Sequence, residues 1–407
     1  MAVEVNKALE IISNLNFQTK FEILPIEKCI NRICAKDIKA TSNLPKFNNS
    51  AMDGYAIMYK DAGEELEVKD TIFAGDDNKL LLDDKTCIKI MTGARVPNNC
   101  DAIIPKEDCQ IISKTKIIAP KNIKKNQHIR FIGEDIKCGQ MLLKEKEDIN
   151  FSKITLLASQ GISHIKVYKK PKVVVFGSGE ELKLHYEKAE DYQIYNSNTP
   201  TFISRCEELG CDVDFIGQAH DSIQSIKELI KNSLDADLII TSGGVSVGDA
   251  DFTKDAFNEF KTENIFEGIK IKPGKPTVLA KIDNTYILNL PGNPLAGALI
   301  FELFGKLIVQ KLLGSNQIHH NFIVSKLKDE LRNKKGRVTI IPGFFDGQSF
   351  TPEQKRSPGM VSTLSRSNSM IVLNEDVSLL KKDTLVKVLP INWKFFGKDD
   401  KDFLTNE

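Results

Sequence analysis

Asp237-Leu238-Ile239-Ile240-Thr241-Ser242-Gly243-Gly244-Val245-Ser246-Val247-Gly248-Asp249-Ala250-Asp251 decides how this chain is read. A short apolar run of the kind that fills a buried parallel strand passes directly into a loop of three glycines and three hydroxyls. Two carboxylates follow at alternate positions, and Phe252-Thr253-Lys254-Asp255-Ala256-Phe257 begins a helical pattern. Glycine admits positive φ and lets backbone N–H groups approach a ligand. A strand–glycine loop–helix junction therefore offers donors and the positive end of a helix dipole to an anion. Asp249 and Asp251 would repel that anion unless a cation lay between them, which points to Mg²⁺ and a phosphate-bearing substrate.

The flanking segments repeat the strand–helix alternation. Lys172–Gly177 is an apolar strand ending in glycine; helix 198–209, strand 212–217, helix 223–234, strand 238–241 and helix 253–260 follow. Strand Tyr286–Leu290 and an apolar helix over Leu295–Leu313 close the unit. This order implies a parallel sheet covered on both faces. Ligands of such sheets sit beyond the carboxyl ends of the strands. Gly177-Ser178-Gly179-Glu180-Glu181, His220-Asp221, the 242–251 loop and Pro291-Gly292-Asn293-Pro294 all fall there. Each alone fits an ordinary turn, but four at one edge of one sheet define a cleft. Lys270-Ile271-Lys272-Pro273-Gly274-Lys275-Pro276 adds a rigid turn that holds Lys272 and Lys275 near each other, and their repulsion is relieved when they share an anion.

The remainder is organised differently. Residues 1–45 read as an amphipathic helix, a short strand at Phe21–Pro25 and a second short helix; 151–161 return to a helical pattern. Between them, short runs broken by Gly, Asn and Pro predict a β-rich region, with strands at 88–91, 102–105 and 117–119. It carries Asp53 in Ser50-Ala51-Met52-Asp53-Gly54-Tyr55, Thr92 in Met91-Thr92-Gly93-Ala94, and Arg130 and Asp135 in Arg130-Phe131-Ile132-Gly133-Glu134-Asp135. After Gly314 turn signals recur to Pro390, which predicts a small β-barrel, with a frayed tail past Lys394. The expected fold class is thus multidomain α/β and β. Its boundaries are a discontinuous helical domain (1–45 and 146–168), a β-rich domain (46–145), an α/β domain (169–315) and a C-terminal barrel (316–395).

Composition narrows the function. The chain has 407 residues, 41% hydrophobic and 27% charged, with a formal net charge of +1, which supports neither nucleic acid nor a membrane surface as partner. Its eight cysteines contain no C-x-x-C pair, which argues against a zinc site or disulfide framework and for a reducing cytoplasm. Residues 1–16 lack the apolar run of a secretion signal, and Leu295–Leu313 is broken by Glu302, Lys306 and Lys311.

In that order and spacing, the motifs at Ser50–Tyr55, Met91–Ala94, Gly133–Asp135, Ser242–Asp251, Lys272–Pro276 and Leu290–Pro294 resemble those of the molybdopterin molybdenumtransferase family (MoeA and the gephyrin E domain). The resemblance covers roughly residues 1–390. It implies insertion of molybdenum from molybdate into adenylylated molybdopterin, with release of AMP and help from Mg²⁺. It also implies a homodimer whose active site is shared between subunits, with the molybdopterin adenylyltransferase as a candidate partner. By resemblance the catalytic acids match Asp53, Asp135, Glu181, Asp221 and Asp251, of which Glu181, Asp221 and Asp251 would hold the metal. Ser242, Gly243, Gly244, Ser246, Pro291 and Asn293 would bind substrate, and Lys272 and Lys275 would take molybdate. Asp53, Thr92, Arg130 and Asp135 would come from the second subunit. Three positions depart from the family pattern: Gly268 replaces a basic residue, Glu180 an aspartate and Lys106 a glutamine. The rival readings are a molybdopterin adenylyltransferase-like enzyme and a non-catalytic scaffold paralogue. A Rossmann dehydrogenase is disfavoured because no G-x-G-x-x-G follows the first strand of the α/β unit.

Overall fold

Strands Lys172–Ser178, Leu238–Ser242 and Thr285–Leu290 are buried along almost their whole length, as their unbroken apolar runs require. In the computed structural model, which describes residues 2–77, 80–220, 222–243, 256 and 259–393, they form the centre of a six-stranded sheet. Its order is Asp212–Ala219, Lys172–Ser178, Leu238–Ser242, Thr285–Leu290, Val278–Ile282, Glu263–Glu267. The first four strands are parallel; Val278–Ile282 runs antiparallel to both its neighbours, Thr285–Leu290 and Glu263–Glu267, and makes the sheet mixed rather than purely parallel. The cause is local. Asp283 has φ +50° and closes a tight hairpin in which Ile282 faces Thr285, so the chain returns without a crossover helix.

Side chains alternate between two cores. Val173, Val175, Leu238, Ile240 and Leu288 face helix Asn198–Glu208 and the long helical segment from Pro294. Val174, Phe176, Ile239 and Ile287 face helix Ile223–Lys231 through Ile226 and Ile230. The long segment is not a single α-helix, as its sequence suggested. It runs as Pro294–Ile300, widens into a π-turn at Phe301–Gly305 and resumes at Lys306–Leu312.

The second short helix expected before residue 45 does not form. Ile26, Cys29 and Ile33 are all buried, and their 3,4 spacing mimics a helical stripe. Only a 3₁₀ turn at Ile26–Lys28 results; Asn31 takes φ +59°, and Ile33 and Cys34 then bridge to Asp148 and Val167. Residues from 26–40 and 136–167 share one core, with Phe151–Ser159 its one α-helix among the described residues. The β-rich region is a six-stranded sheet ordered Ala102–Pro105, Gly54–Ile57, Thr86–Ile90, Glu65–Ile72, Lys116–Ile118, Gln110–Ser113. Five strands near the C-terminus close into a barrel: Val338–Phe345, Ser349–Pro352, Ile323–Leu327, Leu385–Pro390 and Ser369–Leu373, which returns to the first. Strand Ile271–Lys272 pairs with Val338 and Thr339, so the lysine turn of the α/β unit is stitched to this barrel. No helix among the described residues is long and apolar enough to cross a membrane.

Candidate active site

The carboxyl ends of three parallel strands lie side by side, with Gly177 opposite Ser242 and Ser242 opposite Leu290. Gly243 has φ +94°, and a Cβ there would stand 2.4 Å from the Ser178 carbonyl oxygen. Only glycine fits between those strand ends. The side chain of Asn198 ties the edge together from the head of helix Asn198–Glu208: Nδ2 donates to Ser242 Oγ at 2.7 Å and to the Gly292 carbonyl at 2.8 Å. Sequence reasoning missed Asn198. Its only signal was the polar run Asn196-Ser197-Asn198-Thr199 at a helix start. On the other face of the sheet, the register partners Thr241 and Asn289 are buried with side-chain polar atoms that have no partner among the described residues, so the mouth of the sheet is polar within as well.

Glu181 is exposed, its two carboxylate oxygens 2.9 and 3.1 Å from where a Cβ on Gly179 would lie. It folds over the glycine at the edge just described. Pro291 is buried and Asn293 exposed; Asn293 leaves its own helix uncapped, so its amide is free of that duty. The barrel approaches here: Pro358 accepts from Ala296 N at 3.3 Å, and a Cβ on Gly359 would be 3.7 Å from Asn293 Oδ1. Arg366, further along the same barrel segment as Ser357 and Ser362, spends its guanidinium on Glu353 at 3.1 Å. Asp221, Gly244, Ser246, Asp249 and Asp251, most of the helix expected at 253–260 and the tail past Lys394 lie outside the described residues.

Lys272 and Lys275 are exposed, and neither makes an ion pair among the described residues. Their turn is pinned at Gly274, φ +110°, where a Cβ would overlap Ile300 at 2.2 Å. The two lysines are thus held on a fixed backbone with no ion pair among the described residues. Gly268, a departure from the family pattern, has a structural reason. At φ +82° it accepts from Val3 N at 2.9 Å and packs on Ala2, whose methyl would stand 3.2 Å from any Cβ at this position.

A second group of residues sits in the β-rich region. Asp53 Oδ1 accepts from Thr92 N at 2.7 Å and Thr92 Oγ1 at 2.8 Å. These two donors hold the Asp53 carboxyl below the usual aspartate range. The turn is fixed by Gly93 N donating to Ser50 O at 2.8 Å and by Lys106 N donating to Asp53 O at 3.1 Å, so Lys106 serves this site through its backbone. Arg130 and Asp135 line one cavity of about 500 Å³ with Asn49 and Phe47. Glu134 accepts from Phe131 N at 2.7 Å, and Arg130 makes no ion pair among the described residues. No hydrogen bond or ion pair among the described residues joins this group to the α/β edge.

Replacing Thr92 with valine keeps the backbone donor and deletes the hydroxyl. The Asp53 pKa is expected to rise part of the way back, read by carboxyl carbon NMR; an unchanged value would show that the hydroxyl does not reach the carboxylate. Because the folded value is depressed, what the pair contributes to stability is complete above the unfolded value of about 3.9 and is lost as pH falls through the folded value.

A mixed α/β sheet with glycine-hinged carboxyl ends, set between a β-rich region and a closed five-stranded barrel, defines a multidomain protein of the molybdopterin-binding class. Three family models match in succession: "MoeA N-terminal region (domain I and II)" over residues 3–161, "Probable molybdopterin binding domain" over 175–311 and "MoeA C-terminal region (domain IV)" over 324–391. The chain is 34% identical over 395 residues to the molybdopterin molybdenumtransferase of Haemophilus influenzae, covering 94% of this chain and 97% of that one. It is 32% identical over 386 residues to the Staphylococcus aureus protein of the same name, covering 91% of each. A crystal structure of a molybdopterin biosynthesis MoeA protein from Pyrococcus horikoshii superposes with a TM-score of 0.84 at 30% identity, over 97% of this chain and all of that one. The chain belongs to the MoeA family, and these relatives are transferases and proteins of molybdenum cofactor biosynthesis.

Proposed function

We propose that this protein inserts molybdenum from molybdate into adenylylated molybdopterin and releases AMP. The observation that carries this reading is the convergence of Ser178-Gly179, Ser242-Gly243 and Pro291-Gly292 at one sheet edge, beside a rigid turn that presents two lysines with no ion pair among the described residues. Backbone donors at the edge suit the pyrophosphate of an adenylylated substrate. Lys272 and Lys275 suit a compact dianion such as molybdate.

Among the described residues no group of three acids, histidines or cysteines is gathered for a metal. Mg²⁺ is nonetheless compatible with Glu181, because this ion takes one or two carboxylates and completes its shell with water and substrate phosphate. Glu181, with Asp221 and Asp251, would hold it, and when bound it would neutralise charge developing on the phosphoryl oxygens. The chain's own contribution is positional. Ser242 and the 243 backbone orient the phosphates, and the lysines hold molybdate near the dithiolene until the oxygens are exchanged. Asp53, Thr92, Arg130 and Asp135 form a second polar group, with no hydrogen bond or ion pair to the first among the described residues, and are assigned to the cleft of a second copy in a homodimer. The protein acts in the cytoplasm, receiving substrate from the molybdopterin adenylyltransferase.

AMP release from adenylylated molybdopterin by the purified protein, with and without molybdate and Mg²⁺, tests the reading. Release that depends on both supports it, and none from the folded protein sinks it. Lys272→Gln and Lys275→Gln are each expected to lower molybdate-dependent turnover roughly 10- to 100-fold, the worth of one charge-assisted hydrogen bond. Rates unchanged in both variants would remove the lysines from the molybdate site.

A further inference from the structure

We propose that Asn198 is a positioning residue that fixes the Ser242 hydroxyl as a hydrogen-bond donor toward an oxyanion of the substrate. The inference rests on the transferase reading and deepens it by assigning the polarity of one contact.

Gly292 O, 2.8 Å from Asn198 Nδ2, is a carbonyl and can only accept. The amide must therefore present its nitrogen on that side, which settles its orientation. The same nitrogen has one hydrogen left, and Ser242 Oγ lies 2.7 Å from it. Ser242 Oγ accepts, so its own proton points elsewhere. No carbonyl or carboxylate among the described residues takes that proton. Both side chains are buried, Asn198 at 9% and Ser242 at 3% exposure, so bulk water does not scramble the arrangement. A buried hydroxyl with a spare proton, at the last residue of a strand and next to the part-exposed Gly243, is set to donate to whatever oxygen enters that edge.

The ligand class is thus an acceptor-rich group, a phosphate or pyrophosphate oxygen. A serine free to rotate would bind donors and acceptors alike; one locked by Asn198 favours the acceptor. The same amide holds the 242 and 292 loops at a fixed separation, so both consequences come from one side chain.

A double-mutant cycle on the full-length protein separates this lock from simple structural support. Asn198→Asp keeps the shape but replaces the donor with an acceptor, which turns the Ser242 proton inward. Ser242→Ala is expected to lower kcat/KM for AMP release about tenfold in the wild-type background. In the Asn198→Asp background it is expected to have no further effect. Independent, multiplicative losses would overturn the proposal, since a scaffold role leaves the serine's contribution intact. If Asn198→Asp does not fold, as judged by circular dichroism, Asn198→Ala takes its place; the serine then rotates freely, and its effect is expected to shrink without vanishing. Should the wild type release no AMP, the transferase reading falls, and the cycle is run on calorimetric binding of inorganic pyrophosphate. Non-additive losses there keep the lock, while additive losses or no binding overturn it.

Discussion

Gly243→Ala is expected to reduce AMP release by about 100-fold or more, because it displaces the reacting edge rather than deleting a contact. The new methyl would lie 2.4 Å from Ser178 O, a backbone atom of the neighbouring strand that no rotamer change can move. Either the strand ends separate or residue 243 leaves φ +94°. Both routes shift Ser242, whose hydroxyl Asn198 holds at 2.7 Å, and the Gly292 backbone, whose own Cβ position lies 3.5 Å from Gly243 Cα. The cost in stability is modest, about 1–3 kcal/mol for a strained backbone, so the protein should still fold. Gly139→Ala is the control. Gly139 has φ +83° but nothing within 4 Å of its Cβ position, so it carries the conformational penalty without the collision. Steady-state rates and melting curves on the two variants discriminate. Activity lost in Gly243→Ala and kept in Gly139→Ala, with both variants folded, supports the steric account; equal activity in both would show that the edge tolerates displacement.

Much of this edge was legible because its chemistry is written in glycine and in period. The apolar runs at Lys172–Ser178 and Leu238–Ser242 read as buried strands, and the glycine motifs, each an ordinary turn when taken alone, point to a cleft because they recur at the ends of neighbouring strands. The stripe of Phe202 and Cys206 likewise announces helix Asn198–Glu208. What stayed hidden depends on partners distant in sequence. Asn198 acquires its role from residues 44 and 94 positions away, and nothing in Asn-Ser-Asn distinguishes that from an ordinary helix cap. Strand Glu263–Glu267 was missed because four of its five residues are at least partly exposed, so it lacks the apolar signature of an inner strand. The π-turn was invisible for the opposite reason. Every residue of Phe301–Gly305 is buried, so no polar face marks the change of period. At Ile26, Cys29 and Ile33 the period itself misled: three buried residues at helical spacing are served by a turn and two β-bridges.

Glu302→Ala is expected to be the most destabilising single change, by about 3–5 kcal/mol, the cost of leaving a buried charge without its partner. Glu302 lies in that π-turn at 5% side-chain exposure and receives Arg205 through two contacts, Nε at 2.5 Å and Nη2 at 3.1 Å. Arg205 also donates to Glu208 at 2.6 Å and to Ile391 O at 2.9 Å, so the pair links two helices of the α/β unit to the end of the barrel. Glu208 is 59% exposed and cannot replace Glu302, since an exposed partner in water offsets little of a buried charge. Lys306, 4.0 Å from Glu302, is already held below the usual lysine range by burial. Without Glu302, Lys306 and Arg205 lose the buried carboxylate between them, and Arg205 keeps only the exposed Glu208. In a chain of several cores unfolding is not a single two-state step, so the change is best followed as the loss of the α/β–barrel transition. That transition should fall by roughly 6–20 °C at about 2–4 °C per kcal/mol. The double variant Arg205→Met, Glu302→Met removes both charges, conserves volume and is expected to recover most of the loss. If Glu302→Ala melts with the wild type, the pair is not what fastens the barrel to the sheet. If the double variant melts as low as the single, then it is the hydrogen bond to Ile391 O, rather than charge compensation, that does so.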